Sequence, residues 1–308
     1  MQSARPSESA AAGFATPPGL ALGESSRRLR FVIVTVVVAI YVAFGFLLHL
    51  DLAEYQLLGI LFLLAFQLGI RRQPLRAAWV SSGPPLRLDA RFLVLWLLFS
   101  LMPAYLALTA LARSDPWNAA LYGTGIVGAA GLAYALRGMR AANFRQLGLC
   151  LLTVGAIGIL PQLLAVLLPG VLHLHVGAAQ TQAGVAARPA LTQGLLMGLE
   201  TFLWGLPAGF MVEEVFFRGA LDGYLHRGEA GIGWLSAVYV SALWGLWHLP
   251  GATQPSGSLL STIVGLLVAQ ILVGVPLSYW RRKSGNLTVD NAAHALLDAV
   301  RGTLAATL

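Results

Sequence analysis

Seven residues in the last third of the chain share a helical spacing, and five of them are carboxylic acids or histidines suited to proton transfer. They are Glu213, Glu214, Arg218, Trp244, His248, His294 and Asp298. Carboxylates and imidazoles are the groups that enzymes most often use as general bases and acids. All seven lie in or beside long apolar stretches, where an ionisable group is costly and by default indicates a functional site. The pattern therefore predicts acid–base chemistry inside a membrane.

Helical geometry gives the two adjacent glutamates different partners. Glu214 and Arg218 are four residues apart, so they can form a salt bridge along one face of a helix. Glu213 points about 100° away in an α-helix and has no such local cation. We therefore expect Glu214 and Arg218 to be a structural pair and Glu213 to be the general base. His294 and Asp298 are also four residues apart and share one face of a later helix.

Glu213 and His248 are placed symmetrically about a turn signal. The midpoint between them falls in the glycine-rich residues 228–233, where a helical hairpin would turn. The two residues are equally far along the chain from this turn, so an antiparallel pair of helices would place their side chains at the same level along the helix axes. This requires the first helix to continue to about Leu225. The spacing therefore predicts that Glu213 and His248 meet in one site.

Composition indicates which elements must position these groups. The chain has 308 residues, of which 57% are hydrophobic and only 11% are charged. Soluble domains have roughly 25% charged residues, so this chain could not cover a water-exposed surface. Its apolar runs predict an all-α, polytopic integral membrane protein with about 8–9 transmembrane helices of ~20 residues. The catalytic motifs would lie on the last four spans.

About nine apolar stretches are candidate spans. They lie at about residues 31–50, 55–70, 92–112, 119–136, 147–170, 191–217, 231–249, 258–280 and 286–305. Cations concentrate in alternate loops of this arrangement. These loops are 71–91, 136–146, 218–230 and 281–285. Because cytoplasmic loops are enriched in Lys and Arg, the pattern predicts a cytoplasmic N-terminus. The expected location is a plasma membrane.

A composition shift near residue 190 divides the chain, because ionisable residues appear inside the apolar spans only after it. We expect a disordered cytoplasmic tail at 1–30, N-terminal transmembrane helices at 31–190 and a catalytic transmembrane core at 191–308. The net charge of +7 is spread over short loops, so nucleic acid is not an expected partner. The single cysteine, Cys150, excludes an intramolecular disulfide and cysteine-based zinc sites.

The three groups of residues resemble the motifs of the CAAX-protease and bacteriocin-processing family, also called CPBP or Abi. The family pattern is Glu-Glu-x-x-x-Arg, then Phe-x-x-x-His, then His-x-x-x-Asn or Asp, on successive membrane helices. The first motif is complete here, and the second has Trp244 in place of Phe before His248. The third is His294 with Asp298. The resemblance covers roughly residues 190–305.

The resemblance implies an intramembrane endopeptidase that acts on a membrane-associated protein or peptide. Substrates in the family include prenylated Cys-a-a-X C-termini and leader peptides. Glu213 and His248 would activate a water molecule, and His294 and Asp298 would stabilise the oxyanion. An ionised carboxylate can only accept hydrogen bonds. Asp298 would therefore act as a protonated donor, or would instead orient His294.

Two versions of this chemistry differ in their cofactor. In the metal version, Glu213, His248 and His294 would form a two-His-one-carboxylate zinc site with an open position for water. In the metal-free version, Glu213 is itself the base. The resemblance to prenyl-protein endopeptidases favours the second version, so no cofactor is expected, with zinc as the alternative.

Two other functions stay open from the residues alone. A non-catalytic scaffold or immunity protein of the same family would keep the motifs as structure. A proton-coupled transporter would use the intramembrane carboxylates as a relay, although the chain has no evident internal repeat of the kind that many transporters have. Outside the motifs, we expect Glu200 to be a polar contact, and His173 and His175 to be interfacial rather than metal-binding.

Overall fold

The computed structural model describes residues 25–81, 83, 86–160, 191–209, 211–226, 233–252 and 258–307. Every regular element within these ranges is helical, apart from one isolated bridge between Val80 and Asn286. The prediction of an all-α fold is therefore confirmed.

Six α-helices form the N-terminal part. They are α1 Ser25–Leu47, α2 Leu52–Leu64, α3 Arg76–Trp79, α4 Ala90–Ala112, α5 Pro116–Arg137 and α6 Ala141–Gly158. A π-helical stretch, Ala65–Ile70, extends α2. Aspartates fix the starts of three of these helices, because a side-chain oxygen at the N-cap accepts a hydrogen bond from an amide of the first turn. The capping residues are Asp51, Asp89 and Asp115.

The C-terminal part contains the three motifs. Its elements are α7 Leu191–Ala208, the π-helix Val215–Asp222 with a following turn Gly223–Leu225, α8 Trp234–Trp247, a 3₁₀ turn Leu249–Gly251, α9 Leu259–Ser284 and α10 Leu287–Thr307. Gly285 ends α9 in the left-handed region, with φ of 65°, which glycine adopts without a Cβ penalty. Asn286 then donates from Nδ2 to the carbonyl of Ala135 at 2.8 Å, which ties the start of α10 to the end of α5.

Five helical segments within the described residues are long and apolar enough to cross a membrane. They are Arg27–Leu47, Leu52–Ile70, Ala90–Ala112, Pro116–Arg137 and Leu259–Ser284. Large side chains on α4 point away from the protein, such as Leu97 and Leu108, which are 66% and 67% exposed. Such an apolar surface fits an integral membrane protein. The count of eight or nine spans stays a prediction, because part of the fifth stretch lies outside the described residues.

The expected tail at 1–30 is too long at its C-terminal end. α1 begins at Ser25, and Arg30 donates from Nη1 to the carbonyl of Tyr224 at 3.4 Å. The long stems of arginine side chains pack along apolar surface while their charged heads stay polar, so the helix extends past the apolar run. Residues 1–24 lie outside the described part of the chain.

The π-helix Val215–Asp222 lies in the core of the helical bundle, and all of its residues are buried. Phe217 packs against Trp247 of α8, with ring centroids 5.8 Å apart. Tyr55 of α2 donates a hydrogen bond to the carbonyl of Trp247 at 3.0 Å, and Tyr41 of α1 donates to the carbonyl of Tyr55 at 2.8 Å. The first two helices therefore hold the end of α8 that carries the second motif.

Candidate active site

The two glutamates begin a new helical segment after a non-helical interruption, which we call the break. α7 ends at Ala208 and helical geometry resumes at Glu213, so the expected uninterrupted span at 191–217 is wrong. Pro207 in the last turn of α7 has no backbone N–H to donate, and its ring disfavours a regular helix around it. The second segment reaches Leu225, the end that the hairpin argument requires.

Asn291 of α10 holds this break in place. Its Nδ2 donates to the carbonyl of Leu206 at 2.7 Å, and the side chain is 1% exposed. Its amide group also lies against Gly209, where no Cβ would fit. The sequence analysis did not identify Asn291, because an asparagine between motif residues carries no distinctive spacing.

Glu213 meets two residues of the second motif. The indole Nε1 of Trp244 donates a hydrogen bond to Glu213 Oε2 at 3.0 Å. The Nε2 atom of His248 lies 3.9 Å from the same oxygen. The side chains of Glu213 and His248 are 20% and 28% exposed. The structure therefore brings together the two residues that the equal arms of the hairpin place at one height.

A backbone contact fixes the imidazole of His248. Its Nδ1 lies 2.8 Å from the carbonyl oxygen of Trp244. Because a carbonyl only accepts, Nδ1 carries the proton of this hydrogen bond. The Nε2 atom therefore faces Glu213 and is available to accept from, or donate to, a molecule in the site.

Glu214 reaches the third motif as well as Arg218. Its Oε1 lies 2.7 Å from Nδ1 of His294, and Asp298 Oδ2 lies 3.3 Å from Nε2 of the same ring. Glu214 is 1% exposed, whereas the side chain of Asp298 is 50% exposed. His294 is therefore held between a buried and a half-exposed carboxyl group, and it can donate to both only as an imidazolium.

The expected pair of Glu214 and Arg218 is present but loose. Arg218 Nε lies 3.9 Å from Glu214 Oε2, and none of the guanidinium nitrogens has a hydrogen-bond partner among the described residues. The guanidinium instead lies over the ring of Trp244, 4.5 Å from its centroid. Gly274 of α9 makes room for it, since a Cβ there would come within 2.6 Å of Nη2.

Asp222 stands one α-helical turn beyond Arg218 but takes another partner. Its carboxylate pairs with Arg282 of α9, with Oδ2 accepting from Nε at 3.0 Å. Arg282 also donates to the carbonyl of Gly233 at 2.6 Å. The pair therefore ties the end of the π-helix to the start of α8, and it belongs to the framework of the site.

Asp290 is a buried carboxyl group that the sequence analysis missed. It is 0% exposed, and neither of its oxygens has a hydrogen-bond partner among the described residues. The charged groups that act on it most strongly are Glu214 and Arg281. Asp290 precedes His294 by four residues on α10, so the helical spacing that paired His294 with Asp298 could also have found it.

A pocket of about 150 Å³ lies beside these groups. Glu213, His294 and Asp298 line one part of it, together with Asn291. The remaining walls come from α2, α7, the break and α10. They are Gln56, Thr201, Trp204, Gly205, Ala208, Gly209, Val212 and Ala295. The carboxyl of the first motif and the imidazole–carboxyl pair of the third therefore face one cavity, and His248 approaches it through Glu213.

In this structure the side chains do not have the geometry of the alternative zinc site. Both nitrogens of His294 face carboxyl oxygens, and Nδ1 of His248 faces a carbonyl. Only Glu213 and Nε2 of His248 are left as ligands, whereas a catalytic zinc needs three protein ligands. Within the described residues, no group of three His, Cys, Asp or Glu side chains has the arrangement of a metal site.

The remaining candidates are separate from the site. Glu200 is exposed on α7 and does not line the pocket. His173 and His175 lie outside the described residues. The catalytic roles of Glu213, His248, His294 and Asp298 stay predictions, although the structure gathers all four.

Comparison with known proteins gives a family match to the part of the chain that contains the motifs. Residues 194–300, about a third of the chain, match the family model described as Type II CAAX prenyl endopeptidase Rce1-like. The resemblance inferred from the three motifs is thereby confirmed for this segment. No curated protein and no solved structure matches the chain.

Proposed function

We propose that this protein is an intramembrane endopeptidase in which Glu213 activates the water that attacks the peptide bond. The observation that carries the proposal is that Glu213, His294 and Asp298 line one partly enclosed pocket, while His248, from a third helical segment, lies 3.9 Å from Glu213. The family match covers the same segment and supports a CAAX-type protease.

Glu213 and His248 are spaced to hold a water molecule between them. A water at about 2.8 Å from each partner fits the 3.9 Å separation of Glu213 Oε2 and His248 Nε2. Glu213 takes a proton from this water as the hydroxide oxygen bonds to the carbonyl carbon of the substrate. That proton is then delivered to the amide nitrogen as the C–N bond breaks, directly or through His248. The products are a free carboxyl group and a free amine.

His294 stabilises the negative charge that develops on the carbonyl oxygen. Its Nδ1 is held by Glu214 at 2.7 Å, whereas the contact of Nε2 with Asp298 is looser at 3.3 Å. The Nε2–H can therefore be shared with the oxyanion, while Asp298 keeps the ring in place. Removing one such oxyanion donor typically lowers kcat by about 10²–10³-fold.

The substrate is a peptide segment close to a membrane anchor. The pocket is too small for more than a few atoms of a peptide, so the flanking residues bind outside it. A prenylated Cys-a-a-X C-terminus and a leader peptide both present a cleavable segment at a bilayer. The alternating basic loops support an N-terminus in the cytoplasm.

A glutamate base without a bound metal is consistent with the partners of the His294 and Glu213 side chains. The ring nitrogens of His294 face carboxyl groups, so this residue holds the oxyanion rather than a zinc ion. Glu213 lines the pocket and accepts one side-chain hydrogen bond among the described residues, from Trp244, so its carboxylate keeps lone pairs available to act as the base.

The test compares cleavage products in membranes from cells that carry the wild type, Glu213→Gln or Glu200→Gln. We expect peptide termini that appear with the wild type and with Glu200→Gln to be absent with Glu213→Gln. Glu200→Gln is the matched control, because Glu200 is an exposed glutamate outside the site. If no terminus depends on Glu213 while all three proteins are folded, the enzyme proposal fails in favour of a scaffold. Proton-coupled uptake that depends on Glu213 would instead favour a transporter.

A further inference from the structure

Trp244 contacts a residue of every motif. Its Nε1–H donates to Glu213 Oε2 at 3.0 Å, and its carbonyl oxygen binds His248 Nδ1 at 2.8 Å. Its indole ring lies under the guanidinium of Arg218 and meets the ring of His294 edge-on, with centroids 5.1 Å apart. The residue is 2% exposed. It is therefore buried where the three motifs meet.

Only one of these contacts needs an indole. Any aromatic ring at position 244 could stack on Arg218 and pack against His294, and any residue supplies the carbonyl that binds His248. The hydrogen bond to Glu213 requires the N–H group, which a phenyl ring lacks. This bond is also directional, because an N–H in a rigid ring fixes the position of the oxygen that accepts from it.

The bond to Glu213 is not a general consequence of burying tryptophan in this protein. The Nε1 atoms of Trp247 and Trp280 are also buried, and neither has a hydrogen-bond partner among the described residues. Trp244 is therefore distinguished by its position and not by its type. Its partner is the glutamate whose side chain lines the pocket.

We propose that Trp244 is a positioning residue that holds Glu213 Oε2 through its Nε1–H and so fixes the carboxylate against the water that it shares with His248 Nε2. The inference rests on the proposed role of Glu213 as the base. Glu213 stands at the start of a helical segment and has no salt bridge to a Lys or Arg side chain among the described residues. Without the indole, the 3.9 Å contact with His248 would be the one remaining hydrogen-bond or ion-pair contact of its carboxylate within the described part of the chain.

The test is Trp244→Phe, which keeps an aromatic ring and removes the N–H. The assay uses a synthetic peptide copied from the cleavage site that the membrane comparison maps. We expect kcat to fall by about 10- to 100-fold with KM nearly unchanged, since a displacement near 1 Å can cost about 10²-fold and a hydrogen bond to a charged group is worth a similar factor. The matched control is Trp280→Phe, which keeps a ring and removes an Nε1–H that has no hydrogen-bond partner among the described residues, far along α9; it should leave kcat unchanged.

A wild-type kcat in folded Trp244→Phe overturns the inference. If that variant does not fold, β-(3-benzothienyl)alanine at position 244 replaces the N–H by sulfur at nearly constant shape, and the same kcat criterion applies. Activity retained by Glu213→Gln overturns the proposed function instead. An inactive Glu213→Gln together with a fully active Trp244 variant rejects only the positioning role.

Discussion

Replacing Glu214 by Gln tests whether the interior of the site depends on one negative charge. Gln keeps the size of the side chain but removes the charge that faces Arg218 at 3.9 Å and His294 at 2.7 Å. The side chains of Glu214 and Arg218 are 1% and 0% exposed. The substitution therefore leaves a buried guanidinium with no ion-pair partner among the described residues and no access to water.

The expected cost follows from that burial. Breaking a buried ion pair by removing one partner costs about 3–5 kcal/mol, because the remaining charge is stranded. At about 2–4 °C for each kcal/mol, this corresponds to a fall of about 6–20 °C in the apparent melting temperature. Stacking of Arg218 on Trp244 survives the change, which favours the lower half of that range.

The assay is thermal unfolding of the purified protein in one detergent at one scan rate, together with the yield of monodisperse protein. A fixed scan rate is needed because proteins that unfold irreversibly give scan-rate-dependent midpoints. Glu213→Gln is the matched control, since it makes the same chemical change at the neighbouring residue, whose side chain is 20% exposed. We expect its apparent melting temperature to equal that of the wild type.

A double variant decides whether stranded charge is the reason. In Glu214→Gln/Arg218→Met no unpaired guanidinium remains, and replacing a buried pair by uncharged residues of similar size is often neutral. We expect this protein to recover most of the lost stability but not the activity, because His294 still lacks Glu214. The reasoning is refuted if Glu214→Gln has the melting temperature of the wild type. It is also refuted if the double variant melts no higher than Glu214→Gln.

Three further outcomes can be measured. Asp298→Asn should retain activity, because its Oδ1 can still accept from His294 Nε2. Asp298→Ala should lower kcat/KM by about 10²-fold, because the ring of His294 loses a restraint and can shift; equal loss in both would show that the charge itself is needed. Purified protein should carry well under one zinc per chain by elemental analysis and keep its activity in strong chelators, and the opposite result would assign the site to zinc. Gly274→Ala should lower the melting temperature, because its Cβ would meet Arg218 Nη2 at 2.6 Å and Ser241 Oγ at 2.5 Å, whereas Gly265→Ala on the same helix has open space and should melt no lower than the wild type.

The pairing of the motifs could be predicted because it follows from simple counting. Equal arms on either side of a glycine-rich turn placed Glu213 beside His248, and the i,i+4 rule placed His294 beside Asp298. These arguments need only the rise and period of a helix. The predicted contact between Glu213 and His248 is found even though the segment after Glu214 is a π-helix. That contact depends on the position of each residue along its helix axis more than on the rotation of its side chain around the axis.

The partners of the buried charges could not be predicted by the same means. Local spacing assigned Glu214 to Arg218, whereas the structure gives its short contact to His294, which is 80 residues later in the chain. Asp222 likewise forms its ion pair with Arg282, on another helix. Helix packing decides such contacts, and a single sequence does not specify which faces meet. The break after α7 could have been predicted from the sequence, because Pro207 and Gly209 lie close together there and both residue types interrupt helices.

The break after Ala208 also has an electrostatic consequence for the first motif. A helix carries about half a positive elementary charge at its N-terminus, which arises from its aligned peptide dipoles. Glu213 and Glu214 are the first two residues of their segment, so the backbone itself favours negative charge at both positions. A protein interior screens this field less than water does. A chain that ran as one helix through this region would place the same two carboxylates in mid-helix and would lose that contribution.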